Sequence, residues 1–358
     1  MLGNSSSTNC TLSSPPLLGE ICKLFLMVLL IIAIILGNVV SLLVFLQARQ
    51  FRTSQGYLKV SLALADLAVG LIVVPYSIYR EASSLVSGMG QGSRSCSIPS
   101  LPCFVTGPIF AGCTFVSITT IFLLSVERSV AVLKPLHKRA VITKRRTVWL
   151  ILLSWSMSFL LAVVPMISSP DITLQYNPCS KMCTFAFPAG RLPGSSWNIM
   201  LLFPAFDFSL LGGTFVINFI TFSAIRQYCK ARGWLGSEAQ HNSRLSFSDI
   251  TAAKTIGVLT FAFSASFSPI AVFVVGSVLG YQWCQFSFYA FWILTSNSCW
   301  NVAIYSAWDP KFRQGIRELF SRPVLNSASQ RPSRSTEGDS SAPACVAVLK
   351  EMFHPENA

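Results

Sequence analysis

Long apolar stretches recur along this chain and constrain its fold more than any other feature. Each holds about 20 or more residues with few charges, which is the length that an α-helix needs to cross a bilayer. Lipid offers no hydrogen bonds to backbone N–H and C=O groups, so these stretches are most simply helices. We therefore predict an all-α membrane protein, a seven-transmembrane helix bundle over residues 21–308. Its spans 1 to 7 are residues 21–46, 57–79, 103–133, 147–167, 198–228, 250–280 and 285–308.

Charge is scarce, and the basic residues fall between particular spans. Only 11% of the 358 residues are charged, which is too few to cover the surface of a soluble protein. Lys and Arg number 27 against 14 Asp and Glu, and they concentrate after spans 1, 3, 5 and 7. The group after span 1 comprises Arg49, Arg52 and Lys59. These loops are therefore predicted to be cytoplasmic, and seven crossings place the N-terminus outside. The net charge of +13 reflects this topology better than it reflects nucleic-acid binding.

The two ends of the chain differ from the bundle in composition. Residues 1–20 are polar and contain glycosylation sequons at Asn4 and Asn9, which an extracellular N-terminus would make usable. Residues 309–320 carry apolar side chains at helical spacing opposite basic ones, which predicts a short amphipathic eighth helix on the inner leaflet. Residues 321–358 are rich in Ser, Pro and charge and predict a disordered cytoplasmic tail.

Polar side chains inside the spans are costly and mark candidate sites. Asp66 in span 2 and neutral oxygens at similar depth would supply what a hard monovalent cation such as Na⁺ requires. A hydrogen-bonded structural cluster with a protonated Asp66 is the alternative. Asp207, in the outer half of span 5, is a second candidate that could meet a ligand cation or donor, bond a neighbouring helix or reach the membrane interface. The polar cluster comprises Asn38, Asp66, Ser117, Asn297, Ser298 and Asn301.

Four of the eleven cysteines fall in exterior loops or helix mouths, where disulfides persist. We expect one bridge from Cys103 to the CSKMC segment after span 4, with Cys183 preferred over Cys179. The remaining cysteine of that segment could form a second bridge with Cys96. Spacing alone does not settle this connectivity. A zinc site is disfavoured because no histidine lies nearby.

Short motifs appear in order in successive spans. They are GN at 37–38, LALAD at 62–66, Cys103, ER at 127–128 followed by PL at 135–136, Trp155, AAKT at 252–255, Phe-x-x-x-Phe-Ser-Pro ending at Pro269, and Asn-x-x-x-Tyr at 301–305 followed by FR at 312–313. Over roughly residues 20–322 the chain thus resembles a rhodopsin-like (class A) G-protein-coupled receptor. One such motif would be weak evidence, whereas motifs in the right order in six of the seven spans are strong evidence.

The resemblance assigns roles to the acid–arginine pair that ends span 3. It implies that Glu127 and an acid at the foot of span 6 hold the guanidinium of Arg128 in the resting state. Asp249 lies 20 residues before Pro269, where the family often has that acid. Activation would swing span 6 outward, free Arg128 and open a groove for a G-protein helix. Tyr305 completes this set of coupling residues.

The chain also departs from the family pattern at several switch positions. Ser129 and Phe222 stand where tyrosines are usual, Phe267 replaces a tryptophan before the span 6 proline, and Val302 replaces the proline of NPxxY. Span 5 has Thr214 in place of its usual central proline. These departures predict coupling that is weak, constitutive or absent.

The resemblance also locates a ligand pocket in the outer half of the bundle. Amine receptors of this family bind the ammonium with an aspartate seven residues after the cysteine of span 3, and that position here is Phe110. A conventional monoamine is therefore disfavoured. An aromatic, nearly neutral wall fits an apolar or lipid-like ligand, or an aromatic ligand with one polar group that reaches Asp207. A Phe-rich core is the alternative. The predicted wall is Phe110, Phe206, Asp207, Phe267, Ile270, Phe273, Phe291 and Thr295.

These observations favour a plasma-membrane receptor that passes an extracellular ligand signal to heterotrimeric G proteins, with arrestin as a further partner. The first alternative is a non-signalling or constitutively active receptor-fold protein that acts as a decoy or heteromer partner. A transporter or channel is a second, disfavoured because the spans show no internal repeat. The sequence shows no grouping of residues typical of an enzyme active site, since His137, His241 and His354 are far apart along the chain. The exterior loop at 168–197 is long enough for a lid or a peptide contact.

Overall fold

The fold is a bundle of long helices with one short helix across its end, and it confirms the predicted all-α membrane class. A computed structural model describes residues 17–88, 102–134, 142–168, 172–186, 195–234, 247–281 and 283–321. Asn4, Asn9, Cys96 and the tail after residue 321 lie outside these ranges.

The helices follow the apolar stretches closely. Span 2 is one continuous rod in which a π-helical stretch, Val69–Val73, joins two α-helical segments. The helices are Leu17–Gln47 (span 1), Ser54–Ala68 and Val74–Gly88 (span 2), Cys103–Leu133 (span 3), Lys144–Ser168 (span 4), Leu202–Trp234 (span 5), Phe247–Val278 (span 6), Cys284–Trp308 (span 7) and Pro310–Ser321 (the amphipathic helix).

Span 7 differs from the others in composition. Within the described ranges, six helices, those of spans 1 to 6, are long and apolar enough to cross a membrane. Span 7 is 25 residues long and packs against span 6 and span 1. Its inward face carries Asn297, Ser298 and Asn301, so its polarity is concentrated on the side that the bundle buries.

The turn between spans 1 and 2 is tight and fixes the inner end of span 2. Thr53 caps span 2, because its side-chain oxygen accepts a hydrogen bond from the N–H of Gly56 at 3.3 Å. A Cβ at residue 56 would lie 1.7 Å from the carbonyl oxygen of Phe51, so only glycine fits there. This close turn places Lys59, one turn further along, inside the bundle.

An antiparallel β-hairpin covers the outer end of the bundle, which the sequence reading did not predict. Strand β1, Thr173–Asn177, pairs with strand β2, Met182–Ala186. Alternate residues of β1 are buried, as the two-residue period of a strand requires. The sequence signal was short, namely alternation over five residues and an Asn–Pro turn.

Two disulfides hold this hairpin to the bundle. Cys103 at the start of span 3 bonds to Cys183 in β2, which is the predicted bridge. Cys179 bonds to Cys284 at the start of span 7, so the prediction that Cys179 pairs with Cys96 is wrong. Cys284 was missed because it immediately precedes the predicted span 7, and the hairpin that carries Cys179 to it was not foreseen.

Candidate functional site

The polar cluster around Asp66 forms deep in the bundle, as the sequence predicted. Asn301 donates a hydrogen bond from Nδ2 to Oδ2 of Asp66 at 2.7 Å, and Ser298 hydrogen-bonds to the same carboxylate. Asn38 supports the cluster from span 1, since its Nδ2 donates to the backbone carbonyl of Ser298 at 2.8 Å. The Asp66 carboxylate therefore joins span 2 to span 7, and Asn38 joins span 1 to the same part of span 7.

A small cavity opens beside this carboxylate. Asp66, Ser117, Asn297 and Ser298 line it together with apolar side chains. The hydroxyl of Ser117 donates to the carbonyl of Cys113 at 3.0 Å, which leaves its oxygen lone pairs for another partner. The cavity measures about 10 Å³, close to the space that one water molecule requires. Its carboxylate, hydroxyl and amide oxygens fit a small monovalent cation.

The acid–arginine pair lies at the inner end of span 3. Glu127 is 7% exposed, and Arg128 is half-buried. Arg128 is close enough to the buried Lys59 of span 2 for their like charges to interact. The Arg128 side chain therefore lies on the side of span 3 that faces span 2. Asp249 lies in span 6, but its side chain is outside what the structure describes. The predicted contact between Arg128 and Asp249 therefore stays a prediction.

Apolar packing closes the bundle around this pair. Ile256 of span 6 is buried against Leu58 of span 2 and Leu124 of span 3. One turn nearer the start of span 6, Ala253 packs with Val132 and Ile225. The inner half of span 6 thus lies against its neighbours, which is the arrangement expected of a resting state.

A second ion pair, which the sequence reading missed, joins span 2 to the start of the amphipathic helix. Lys59 Nζ lies 2.8 Å from Oδ2 of Asp309. The ammonium also lies over three aromatic rings, at 4.6 Å from the centroid of Tyr305 and 5.6 Å from those of Phe45 and Phe51. Lys59 had been counted only as a cytoplasmic charge, and its position inside an apolar segment was the available signal.

Asp309 also caps the amphipathic helix. Its Oδ1 accepts hydrogen bonds from the N–H groups of Lys311 at 3.1 Å and Phe312 at 3.3 Å. Burial raises the pKa of Asp309, but the ammonium of Lys59 and these hydrogen bonds outweigh burial and hold the pKa below its ordinary value. Tyr305 is 2% exposed and packs at 5.7 Å, centroid to centroid, from Phe312. The predicted coupling residue Tyr305 is therefore packed beneath this helix.

The predicted ligand wall assembles in the outer half, where its aromatic rings contact one another. Phe291 of span 7 lies 6.1 Å from Phe110 and 5.7 Å from Phe273, measured between ring centroids. Phe206 and Phe273 pack, partly buried, against the same core. The wall residues that are fully buried are Phe110, Asp207, Phe267, Ile270 and Thr295.

Asp207 is the most unusual member of this wall. It is 1% exposed, and its Oδ1 has no hydrogen-bond partner among the described residues. It shares the inward face of span 5 with Leu211, Thr214 and Asn218, which follow at helical spacing. The alternative that Asp207 reaches the membrane interface is therefore wrong. One of its oxygens is available to a partner inside the bundle.

The hairpin enters this wall from above. Met182 of β2 is 1% exposed and belongs to the same core as Phe110 and Phe267. The hydroxyl of Thr295 contacts Sδ of Met182 at 4.0 Å, and Trp292 donates from Nε1 to the carbonyl of Ser180 at 3.0 Å. Met182, Ser180 and Trp292 were not foreseen, because no motif marks a loop residue that inserts into a helical core.

Comparison with known proteins places the chain in a family. The sequence profile of the family described as 7 transmembrane receptor (rhodopsin family) matches residues 37–305. The dog (Canis lupus familiaris) histamine H2 receptor is 26% identical over 349 residues, covering 94% of this chain and 89% of that receptor. The human (Homo sapiens) neuromedin-U receptor 1 is 25% identical over 320 residues, covering 83% and 72%.

A solved structure supports the same fold. Squid rhodopsin superposes with a TM-score of 0.70 over 86% of each chain, at 19% sequence identity. That likeness concerns the fold alone, whereas the sequence profile extends from Gly37 in span 1 to Tyr305 in span 7. The chain is therefore a multi-pass membrane protein and belongs to the rhodopsin family of seven-transmembrane receptors, the class A G-protein-coupled receptors.

Proposed function

We propose that this receptor passes an extracellular ligand signal to heterotrimeric G proteins at the plasma membrane, with its N-terminus outside the cell. The observation that carries the proposal is the inner end of the bundle, where the half-buried Arg128 stands beside the buried Glu127 beneath a closed span 6. A groove for a G-protein helix opens when span 6 moves away from spans 2 and 3.

Span 6 suits such a movement because Ala253 and Ile256 hold its inner end against spans 2 and 3 by apolar contacts. Ala253 and Ile256 contribute no hydrogen bond across the interface, so separating them costs apolar burial only. Pro269, inside span 6, removes one backbone hydrogen bond and provides a hinge. A ligand shifts the balance between the closed and open states by its difference in affinity for them.

The Asp66 cluster supports a role for Na⁺ as an allosteric ion of the resting state. Asp66, Ser117, Asn297 and Ser298 would hold it, and Asn301 orients the carboxylate. The ion supplies a positive charge that compensates Asp66 inside the bundle. Collapse of the small cavity during activation would then disfavour the bound ion.

The outer wall supports an aromatic ligand that carries one cationic or hydrogen-donating group. Its rings offer apolar surface, and Oδ1 of Asp207 is a buried acceptor. Phe110 stands where amine receptors carry their aspartate, so a conventional monoamine is disfavoured. The relatives are named for histamine and for neuromedin U, which differ in chemistry, and so they do not choose between ligand classes.

A panel of G-protein nucleotide-exchange assays on the purified receptor tests this function. We expect Asp249→Ala to raise basal exchange for at least one G-protein class, because it removes the acid predicted to hold Arg128. Arg128→Ala should abolish that exchange, and Arg317→Ala, on the exposed face of the amphipathic helix, is the matched control. If neither the wild type nor Asp249→Ala stimulates nucleotide exchange by any G-protein class, the alternative of a receptor-fold decoy or heteromer partner is favoured.

A further inference from the structure

We infer that the β1–β2 hairpin is a built-in occupant of the outer half of the bundle, with Met182 filling a ligand position among the predicted wall residues and holding the receptor at rest. The inference rests on the proposed receptor function, because it names what occupies the same pocket without a diffusible ligand. A ligand would then have to displace the Met182 side chain to reach the wall beneath.

The depth of Met182 is the first argument. Its side chain lies in one continuous core with Phe110 and Phe267, two predicted wall residues on spans 3 and 6. Thr295, which Met182 contacts, also lines the cavity next to Asp66. The methionine therefore reaches from the extracellular loop to the upper limit of the polar cluster. A flexible thioether suits this role, because it fills irregular space and can repack.

Covalent anchors prevent the hairpin from leaving as a unit. Cys183, the residue after Met182, is bonded to span 3, and Cys179 in the turn is bonded to span 7. Leu174 of β1 lies so close to span 3 that a Cβ at Gly107 would be 2.7 Å from its side chain. The accessible motion is therefore local rearrangement of the turn and of the Met182 side chain.

A charge network ties the turn to spans 1 and 2. Lys181 Nζ lies 3.1 Å from Oε2 of Glu20 and 2.8 Å from Oε2 of Glu81. Tyr176 donates to Oε1 of Glu81 at 3.2 Å, and burial together with that carboxylate raises the pKa of Tyr176, so it stays a donor. Lys181 has φ of 59°, a left-handed conformation that non-glycine residues rarely adopt. Its two carboxylate partners offset this strain.

The state of the inner end gives the direction of the effect. With Met182 inserted, span 6 remains packed through Ile256 on Leu124 and through Ala253 on Val132. Occupation by the hairpin therefore coexists with a closed cytoplasmic face. Removing an interaction made in the closed state shifts the balance toward the open state.

Cys113 provides a native reporter beneath the hairpin. It is a free thiol, it is buried, and it lines the cavity with Phe110 and Thr295. We would treat full-length wild type, Met182→Ala and Met157→Ala with a charged aqueous thiol reagent and quantify modification of Cys113 by peptide mass spectrometry. Met157 is 58% exposed on span 4 and serves as the matched control.

Met182→Ala should raise the rate of Cys113 modification at least tenfold and raise basal nucleotide exchange severalfold, while Met157→Ala matches the wild type. Lys181→Met keeps Met182 but removes the ion pairs with Glu20 and Glu81, so it should raise Cys113 modification and basal exchange by smaller amounts. This variant provides the test if Met182→Ala folds poorly. If Cys113 is modified as fast in the wild type as in Met182→Ala, the inference that Met182 occupies the ligand position is wrong.

The two readouts separate failure of this inference from failure of the proposed function. Faster Cys113 modification in a receptor that stimulates no G protein, even as Asp249→Ala, would support the occupant and count against the proposed function. If Asp249→Ala does stimulate exchange but Met182→Ala lowers it or leaves it unchanged, the resting role of Met182 is wrong.

Discussion

At the scale of single residues, Asp207 and Asp66 show how differently the bundle treats two buried carboxylates. Asp66 accepts hydrogen bonds from side chains of span 7 and borders a polar cavity. Asp207 is equally buried, but one of its oxygens has no hydrogen-bond partner within the described residues. An unsatisfied buried polar group costs about 1–3 kcal/mol, so Asp207 is better suited to function than to stability.

We therefore predict that Asp207→Leu raises the thermal stability of the ligand-free receptor, by about 1–3 kcal/mol, because it removes an unsatisfied group and keeps a similar volume. Asn218 lies on the same face of span 5, about three helical turns after Asp207. Asn218→Leu should instead lower stability, since Asn218 donates a hydrogen bond to Thr260 Oγ1 at 3.0 Å. Thermal unfolding in nanodiscs measures both changes. A loss of stability in Asp207→Leu would mean that the carboxylate already has a structural partner.

The cavity beside Asp66 leads to a prediction about salt. Raising NaCl should increase the unfolding temperature of the wild type relative to choline chloride at equal ionic strength, because the ion binds the folded resting state. Asp66→Asn should remove this difference, since it removes the charge and leaves the shape. Ser41→Ala, a buried hydroxyl of span 1 outside the cavity, is the control. If the wild type responds equally to both salts, Na⁺ binding is contradicted, and the alternative of a hydrogen-bonded structural cluster is favoured.

At the scale of elements, the attachment of the amphipathic helix depends on an ion pair rather than on apolar contact alone. Lys59 and Asp309 have side chains only 10% and 15% exposed, so the pair is largely protected from solvent. Removing one partner of a buried pair costs about 3–5 kcal/mol, because the other charge remains buried. The pair also fixes Lys59 over Tyr305, which holds that tyrosine beneath the helix.

We predict that Lys59→Met and Asp309→Asn each lower thermal stability. The double variant should lose less stability than the sum of the two single losses. The coupling should be large because each single variant leaves a buried group without its partner. A double-mutant cycle measured by thermal unfolding reports it. Lys23→Met, which breaks a partly exposed contact with Glu20, is the control and should cost about 1 kcal/mol or less. Additive losses at Lys59 and Asp309 would contradict a coupled pair.

Acid should weaken this attachment only at low pH. The pKa of Asp309 is lowered in the folded protein, so its stabilisation is complete above its unfolded pKa and is lost as pH falls through the folded value. The stability difference between wild type and Asp309→Asn should therefore be constant from about pH 5 to 8 and shrink below about pH 4. A difference that changes between pH 6 and 8 would point to another titrating group.

The spans were predictable from the sequence because lipid enforces helices on long apolar stretches. The Cys103–Cys183 bridge was expected because both cysteines lie at the exterior mouths of spans, although the sequence only preferred Cys183 over Cys179. The hairpin was not predictable, since five alternating residues and one Asn–Pro turn are too short a signal. The bridge from Cys179 to Cys284 depends on where that hairpin folds. Lys59 was read as a topology marker, and only the packed structure shows that it is buried.

At the scale of the whole molecule, the receptor is closed at both ends by different means. The outer end is filled by Met182 and tied by two disulfides and the Lys181 network. The inner end is closed by the apolar contacts of span 6, with Glu127 and Arg128 beneath. The outer end is fixed covalently and the inner end is held by noncovalent contacts, so we expect the movement to occur in the inner half of span 6.

The most direct test of this account is the distance between spin labels at the inner ends of span 6 and span 4. Labels at Thr251 and Arg145 report it by pulsed electron resonance in lipid nanodiscs. We predict one short distance for the receptor alone and a second, longer population when a nucleotide-free G protein is added. A distribution that stays short with every G-protein class, including any class whose nucleotide exchange the receptor stimulates, would contradict the outward movement of span 6.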